Sequence, residues 1–204
     1  MINLFQPQVG AEPLEAVAGV FEERRLGHGS RTKAFEAAFA EHFGTPGHVA
    51  FVNSATSGLF LAAEALGLRD GDEVVLPSRS YLAAANAVLA HGGRPVFCDV
   101  DPRRLNPTWE DIEAAVTERT RAVVALHHAG HPGDIERIAA RCRELGIVLI
   151  EDAARSVGSR VDRKAVGAFG DPGMWSLAAK KGLVTGDGGR RPAYRGRAQS
   201  SGFG

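Results

Sequence analysis

Residues 134–152, DIERIAARCRELGIVLIED, decide the fold class. The first part repeats apolar residues at helical spacing and carries Cys142; Gly146 then ends the helix, as a glycine after the last turn does. The second part, GIVLIED, is apolar along its whole length and turns acidic only at its end. A strand that does not alternate is one buried on both faces. The same unit recurs upstream. Strand-length runs stand at 48–53 (HVAFVN), 72–77 (DEVVLP), 94–100 (RPVFCDV) and 121–128 (RAVVALHH). Helical segments separate them at 57–67, 82–92 and 108–118, and Thr108 is a natural cap for the last. Asp70-Gly71-Asp72 reads as the close of one helix and the turn into the next strand. Regular alternation of buried strands and helices implies an α/β fold, with a mostly parallel sheet covered on both faces and joined by right-handed crossovers. Two further helices precede the first strand, at 11–25 and 31–43, the second with Phe35, Ala38, Phe39 and Phe43 on one face.

The chain has 204 residues, 44% of them hydrophobic, which suffices for a sizeable core in one domain or an incomplete two-domain chain. Its 24 basic and 24 acidic residues balance, so no general basic footprint points to nucleic acid. Four arginines (Arg190, Arg191, Arg195 and Arg197) fall in the last fifteen residues, which hold no acid. RRPAYRGRAQSSGFG has neither helical nor strand periodicity, and 190–204 reads as a disordered basic tail after a domain spanning 1–189. Two cysteines, Cys98 and Cys142, exclude a disulfide framework and read as reduced core thiols. The N-terminus has no secretory pattern, and no apolar run reaches the ~18 residues of a membrane span. A cytoplasmic protein that engages neither membrane nor nucleic acid is expected.

Ligands of open parallel sheets bind beyond the carboxyl ends of the strands, so those ends carry the functional reading. Asn53-Ser54-Ala55-Thr56-Ser57-Gly58 leads from a strand into a helix, where free N–H groups and the helix dipole favour an anion; alone, it reads more simply as a cap by Ser54 or Thr56. Tyr81 follows the strand at 72–77 and is either a ring-stacking aromatic or a packing residue. Glu151-Asp152 ends an apolar strand, where a carboxylate needs compensation: a protonated ring nitrogen, or a cap or an ion pair with Arg155. Lys180-Lys181 lies among apolar and glycine residues, a setting in which a lysine loses its proton more easily and becomes a nucleophile. An anion loop, a stacking aromatic, a carboxylate and a lysine, in that order, are the requirements of pyridoxal phosphate. His127, His128 and His131 lack a nearby carboxylate or cysteine that would complete a metal site, and none is expected. The loop LGHGS follows no strand, and this excludes a nicotinamide-binding reading of its GxG.

The stretches VNSATSGLFLAAEALGL (52–68), LPSRSYLAAANAVL (76–89), GRPVFCDVDP (93–102), VLIEDAARSVGS (148–159), VGAFGDPGMWSLAAKK (166–181) and GDGG (186–189) resemble the DegT/StrS-like family of pyridoxal-phosphate aminotransferases, from about Leu26 to Gly189. The resemblance implies a three-layer large domain of the aspartate-aminotransferase type, a smaller C-terminal domain and a homodimer. It implies transfer of an amino group from an amino acid, with glutamate the expected donor, to a nucleotide-linked keto sugar, in antibiotic or polysaccharide biosynthesis. Thr56, Ser57 and Ser176 would bind the cofactor phosphate, Tyr81 would stack on the ring, and Asp152 would pair with the pyridine nitrogen. Lys181, five residues after Ser176, would form the Schiff base, and it argues against the relatives that carry His there and have lost transamination. Arg155, counted with the cofactor-binding residues, stands where the family usually has Gln, and Lys180 where Thr or Asn is usual. After GDGG relatives continue with an apolar strand. Its replacement by RRPAYRGRAQSSGFG leads to the expectation of a sheet lacking its last strand, in a truncated or frameshifted chain without the C-terminal domain. An inactive remnant, or a partner-binding module that keeps the fold, is the alternative; the joint presence of Lys181 and Asp152 weighs against it.

Overall fold

A computed structural model describes residues 9–24, 26–45, 49–185 and 189–192. In chain order the elements are α1 (Ala11–Glu22), α2 (Ser30–Phe43), β1 (Val49–Val52), α3 (Ala55–Leu66), β2 (Glu73–Pro77), α4 (Ala83–Ala90), β3 (Arg94–Cys98), α5 (Trp109–Glu113), β4 (Thr120–Leu126), α6 (Ile135–Leu145), β5 (Val148–Asp152), β6 (Arg160–Val161), β7 (Lys164–Ala165), β8 (Gly173–Ser176) and β9 (Gly189–Pro192). Seven strands form one sheet in the order β1-β9-β8-β5-β4-β2-β3, and β6 and β7 form a separate hairpin. Neighbours from β8 to β3 run parallel, whereas β9 is antiparallel to both β1 and β8. The α/β class with a mostly parallel sheet is therefore as the sequence implies.

Local chemistry explains the helices. Along α6, Ile135, Ile138, Ala139 and Cys142 are buried, an i, i+3, i+4, i+7 stripe that lays one face on the sheet. Gly146 ends it at φ 67°. Thr108 caps α5 in a capping box with Asp111: the Asp111 N–H donates to Thr108 Oγ1, and the Thr108 N–H donates back to the Asp111 carboxylate. The helix is shorter than its periodicity suggests and closes at Glu113. α3 ends at Leu66, with Gly67 left-handed behind it, so Asp70-Gly71-Asp72 serves only the turn into β2.

The core arises from the pleat. Val74, Leu76, Ala122 and Val124 face α3 and α4, while Val75, Val123, Ala125 and Leu149 face α5 and α6. A third cluster joins α2 to β8, where Phe39 and Phe43 pack on Trp175 with ring centroids 5.6 Å away in each case. Cys98 and Cys142 are buried and free, and burial pushes both thiols up to about 12, so neither is a ready nucleophile.

One expectation is corrected. The sheet does not lack a strand after GDGG: Gly189–Pro192 pairs with Val49–Val52 on one side and with Trp175 and Ser176 on the other. A four-residue strand inserted between two neighbours is held by main-chain hydrogen bonds on both edges and needs no apolar periodicity. Residues 190–192, expected in a disordered tail at 190–204, therefore belong to β9, and 193–204 lie outside the described residues. No helix among the described residues is long and apolar enough to cross a membrane.

Candidate active site

The turn from β1 into α3 is built by its own hydroxyls. Ser54 is the cap, and its Oγ accepts the Ser57 N–H at 3.1 Å. The Ser57 hydroxyl donates to Asn53 Oδ1 at 2.6 Å, and Thr56 is exposed. The N–H groups of Ala55 and Thr56, in the first helical turn, have no acceptor within the helix. Gly189 lies against this turn: a Cβ there would stand 2.0 Å from Ala55 N. Its register partner is Ser176, buried at the end of β8. Strand β9 thus brings Ser176 toward the turn that carries Thr56 and Ser57, from which the sequence separates it by more than a hundred residues.

Asp152 ends β5, next to β8. It is buried, and among the described residues its carboxylate takes one hydrogen bond, from the Ala154 N–H at 3.1 Å. Burial pushes its pKa above the usual carboxylate range, against the Ala154 N–H, His127 and Lys181, which pull it down. The ion pair with Arg155 that the sequence allows is not formed among the described residues.

Lys181 follows β8, half-buried, with its N–H donated to Ala178 O at 3.0 Å, whereas Lys180 is exposed. Burial and then the Arg155 charge hold the Lys181 amine below the ordinary lysine range; Asp152 opposes them. Of the two lysines, Lys181 is the more buried. Arg155 is exposed beside it, and Tyr81 stands 69% exposed where the chain passes from β2 to α4.

Two residues of the site are not marked by the sequence. Glu151, fully buried, points away from its neighbour Asp152, as alternate residues of a strand do. It accepts the N–H groups of Gly167, Phe169 and Gly170 and meets His127 Nε2 at 2.9 Å. His127 is 1% exposed and reaches Pro132 O with its other nitrogen. The pair ties β4 and the 167–170 loop to β5 directly behind Asp152. In the sequence the histidine cluster raises only the question of metal; its adjacency to the apolar run at 121–128 is the signal that His127 ends a buried strand. Among the described residues no group of three or more metal-ligating side chains forms.

A pyridoxal-phosphate-shaped group fits these residues. Free N–H groups and hydroxyls at β1, β9 and β8 suit a phosphate, and a buried carboxylate without an ion-pair partner among the described residues suits a ring cation one strand further on.

Comparison with known proteins agrees. The chain is 52% identical over 217 residues to the dTDP-4-dehydro-2,3,6-trideoxy-D-glucose 4-aminotransferase of Saccharopolyspora spinosa, a match covering 100% of this chain and 56% of that protein. The structure of the aminotransferase TlmJ from Streptoalloteichus hindustanus superposes with a TM-score of 0.93 at 54% identity, over 96% of this chain and 54% of that one. An E. coli GDP-4-keto-6-deoxy-D-mannose-3-dehydratase with bound hydrated PLP gives 0.89 at 27% identity, over 95% and 52%. The chain spans about half the length of these relatives. The family model for DegT/DnrJ/EryC1/StrS aminotransferases matches residues 7–190. With fold, site order and family match all in one register, the chain belongs to the DegT/DnrJ/EryC1/StrS aminotransferase family.

Proposed function

We propose that this chain carries the pyridoxal-phosphate site of a nucleotide-sugar aminotransferase, which moves an amino group from an amino acid, glutamate being the expected donor, to a nucleotide-linked keto sugar. The observation that carries the reading is the buried Asp152 carboxylate, without an ion-pair partner among the described residues and within the electrostatic reach of Lys181. When bound, the cofactor supplies an electron sink for the pair left as a proton leaves the substrate carbon. The rest is the work of the chain. Thr56, Ser57 and Ser176, with the first N–H groups of α3, would hold the phosphate. Tyr81 would stack on the ring, and Asp152 would favour a protonated ring nitrogen by stabilising its charged form. Lys181 Nζ would bind the group covalently and would carry the proton taken from and returned to the substrate carbon, a role typically worth about 10²–10⁴ in rate. Arg155 keeps that amine neutral more of the time. A homodimer in the cytoplasm, feeding antibiotic or polysaccharide biosynthesis, completes the proposal; the name of the S. spinosa relative supports a deoxysugar acceptor.

The test is to load the chain with pyridoxal phosphate, reduce with borohydride and map the label. One equivalent fixed on the peptide containing Lys181, and none in Lys181→Ala, is the expected result. A folded chain that fixes nothing, or a Lys181→Ala variant that fixes as much, overturns the proposal and favours a remnant that has kept the fold alone.

A further inference from the structure

Around the carboxyl ends of β2, β4 and β5, three adjacent strands, stand Arg79, His128 and Arg155. Arg79 Nη2 donates to His128 Nε2 at 3.3 Å. A guanidinium can only donate, so that ring nitrogen is the acceptor of a neutral imidazole. Two contacts bring the third residue in. Ser156 Oγ donates to His127 O at 3.1 Å, and a Cβ on Gly130 would stand 3.5 Å from Arg155 O. The main chain at 155–156 therefore lies against the 127–130 turn.

Several other arginines of the chain are neutralised by carboxylates. Arg94 and Arg119 share Glu73, Arg137 meets Glu110, and Arg141 meets Glu113 and Glu144. Among the described residues, neither Arg79 nor Arg155 has a carboxylate. His128, held below the ordinary histidine range by burial and then by the charges of Arg79 and Arg155, adds no negative charge and takes up no proton readily. Like charges gathered at one edge repel one another, and an anion set among them relieves that repulsion.

We propose that Arg79 and Arg155, flanking His128, form a substrate-anion subsite separate from the phosphate cradle at α3. The separation comes from the sheet order. The cradle lies at the β9–β8 boundary; Arg79 follows β2, three and a half strand spacings or roughly 17 Å away at ~4.8 Å each, while Arg155 follows β5, between the two. One phosphate cannot reach both the cradle and Arg79. The shared chemistry of the ligand is an anionic oxygen group, found in the carboxylate of an amino donor and in the diphosphate of a nucleotide sugar. That it belongs to a substrate at all rests on the pyridoxal-phosphate reading of the site.

Calorimetric titration of the cofactor-free 204-residue chain with glutarate and, separately, with inorganic pyrophosphate tests the subsite. Arg79→Gln is compared with wild type, and Arg79 is exposed, so the fold is not at stake. At least tenfold weaker binding of glutarate in Arg79→Gln assigns the subsite to the donor carboxylate; the same loss for pyrophosphate assigns it to the nucleotide diphosphate. The wild-type complex should also shift the His128 ring-proton resonance. No binding of either probe, or binding that Arg79→Gln and the His128 resonance do not register, overturns the proposal. Because the titration uses the cofactor-free chain, borohydride labelling at Lys181 on a parallel sample reports separately whether the cofactor reading itself has failed.

Discussion

Lys181 stands between two opposed fields. Burial and the Arg155 guanidinium favour its neutral amine, and the Asp152 carboxylate favours the ammonium. The net direction is downward from the ordinary lysine value, so more of the amine is neutral near pH 7 than in an ordinary lysine. This fixes the sign for a variant. Arg155→Gln removes a cation that disfavours the ammonium, the lysine pKa rises, and the pH midpoint for cofactor capture moves up. Capture rates followed by absorbance across a pH series should show that upward move, with slower capture at pH 7; a midpoint that stays or falls would remove Arg155 from this role. Much of this residue chemistry is legible in the chain, because Asp152 ends an apolar strand and Lys181 lies among apolar and glycine residues, settings where a charge calls for an explanation. The role of Glu151 is not legible. Only the pleat tells which of two adjacent carboxylates faces the site, and the three N–H groups that Glu151 accepts come from a loop sixteen to nineteen residues downstream.

At the scale of elements, β1 to β5 can be read because burial on one or both faces writes apolar residues into the sequence. β8 and β9 cannot. GMWS is four residues long behind a proline, and GRRP has no apolar side chain beyond its terminal proline. What places β9 is its backbone, and the position that admits it is Gly189. A Cβ there would fall 2.0 Å from Ala55 N and 2.1 Å from Ser54 C, main-chain atoms that cannot swing aside. Gly189→Ala should therefore destabilise by about 1–3 kcal/mol, as overpacking does, and should loosen the α3 turn as well. Gly182→Ala, with nothing within 4 Å of its added carbon, should stay within about 0.5 kcal/mol. Urea titrations of the two variants beside wild type decide it; equal midpoints would mean that β9 does not pack on α3 as described.

Across the whole molecule the three core clusters are not separable, because strands lend alternate residues to different faces. β4 gives Ala122 and Val124 to one face and Val123 and Ala125 to the other; β8 gives Met174 to the α3–α4 face and Trp175 to the cluster under α2. Trp109 and Trp175, the two tryptophans, sit in different clusters. Single-tryptophan variants Trp109→Phe and Trp175→Phe should thus give fluorescence unfolding curves that each coincide with the circular dichroism curve of the same protein. Separate midpoints within one variant would show that the clusters unfold independently. The insertion of β9 also bears on the order of events during synthesis. Val49 and Pro192 are partners about 140 residues apart, so β1 is translated long before the strand that joins it to the rest of the sheet. Until then β1 and β8 present open edges toward each other, the kind of edge that recruits strands from other chains. Closing so distant a pair is slow compared with forming α3 or α6, whose contacts are local. A nascent chain is therefore most exposed to mispairing in the interval before Gly189 arrives, and the same closing step brings Ser176 up to the α3 turn, so sheet completion and assembly of the proposed phosphate cradle are one event.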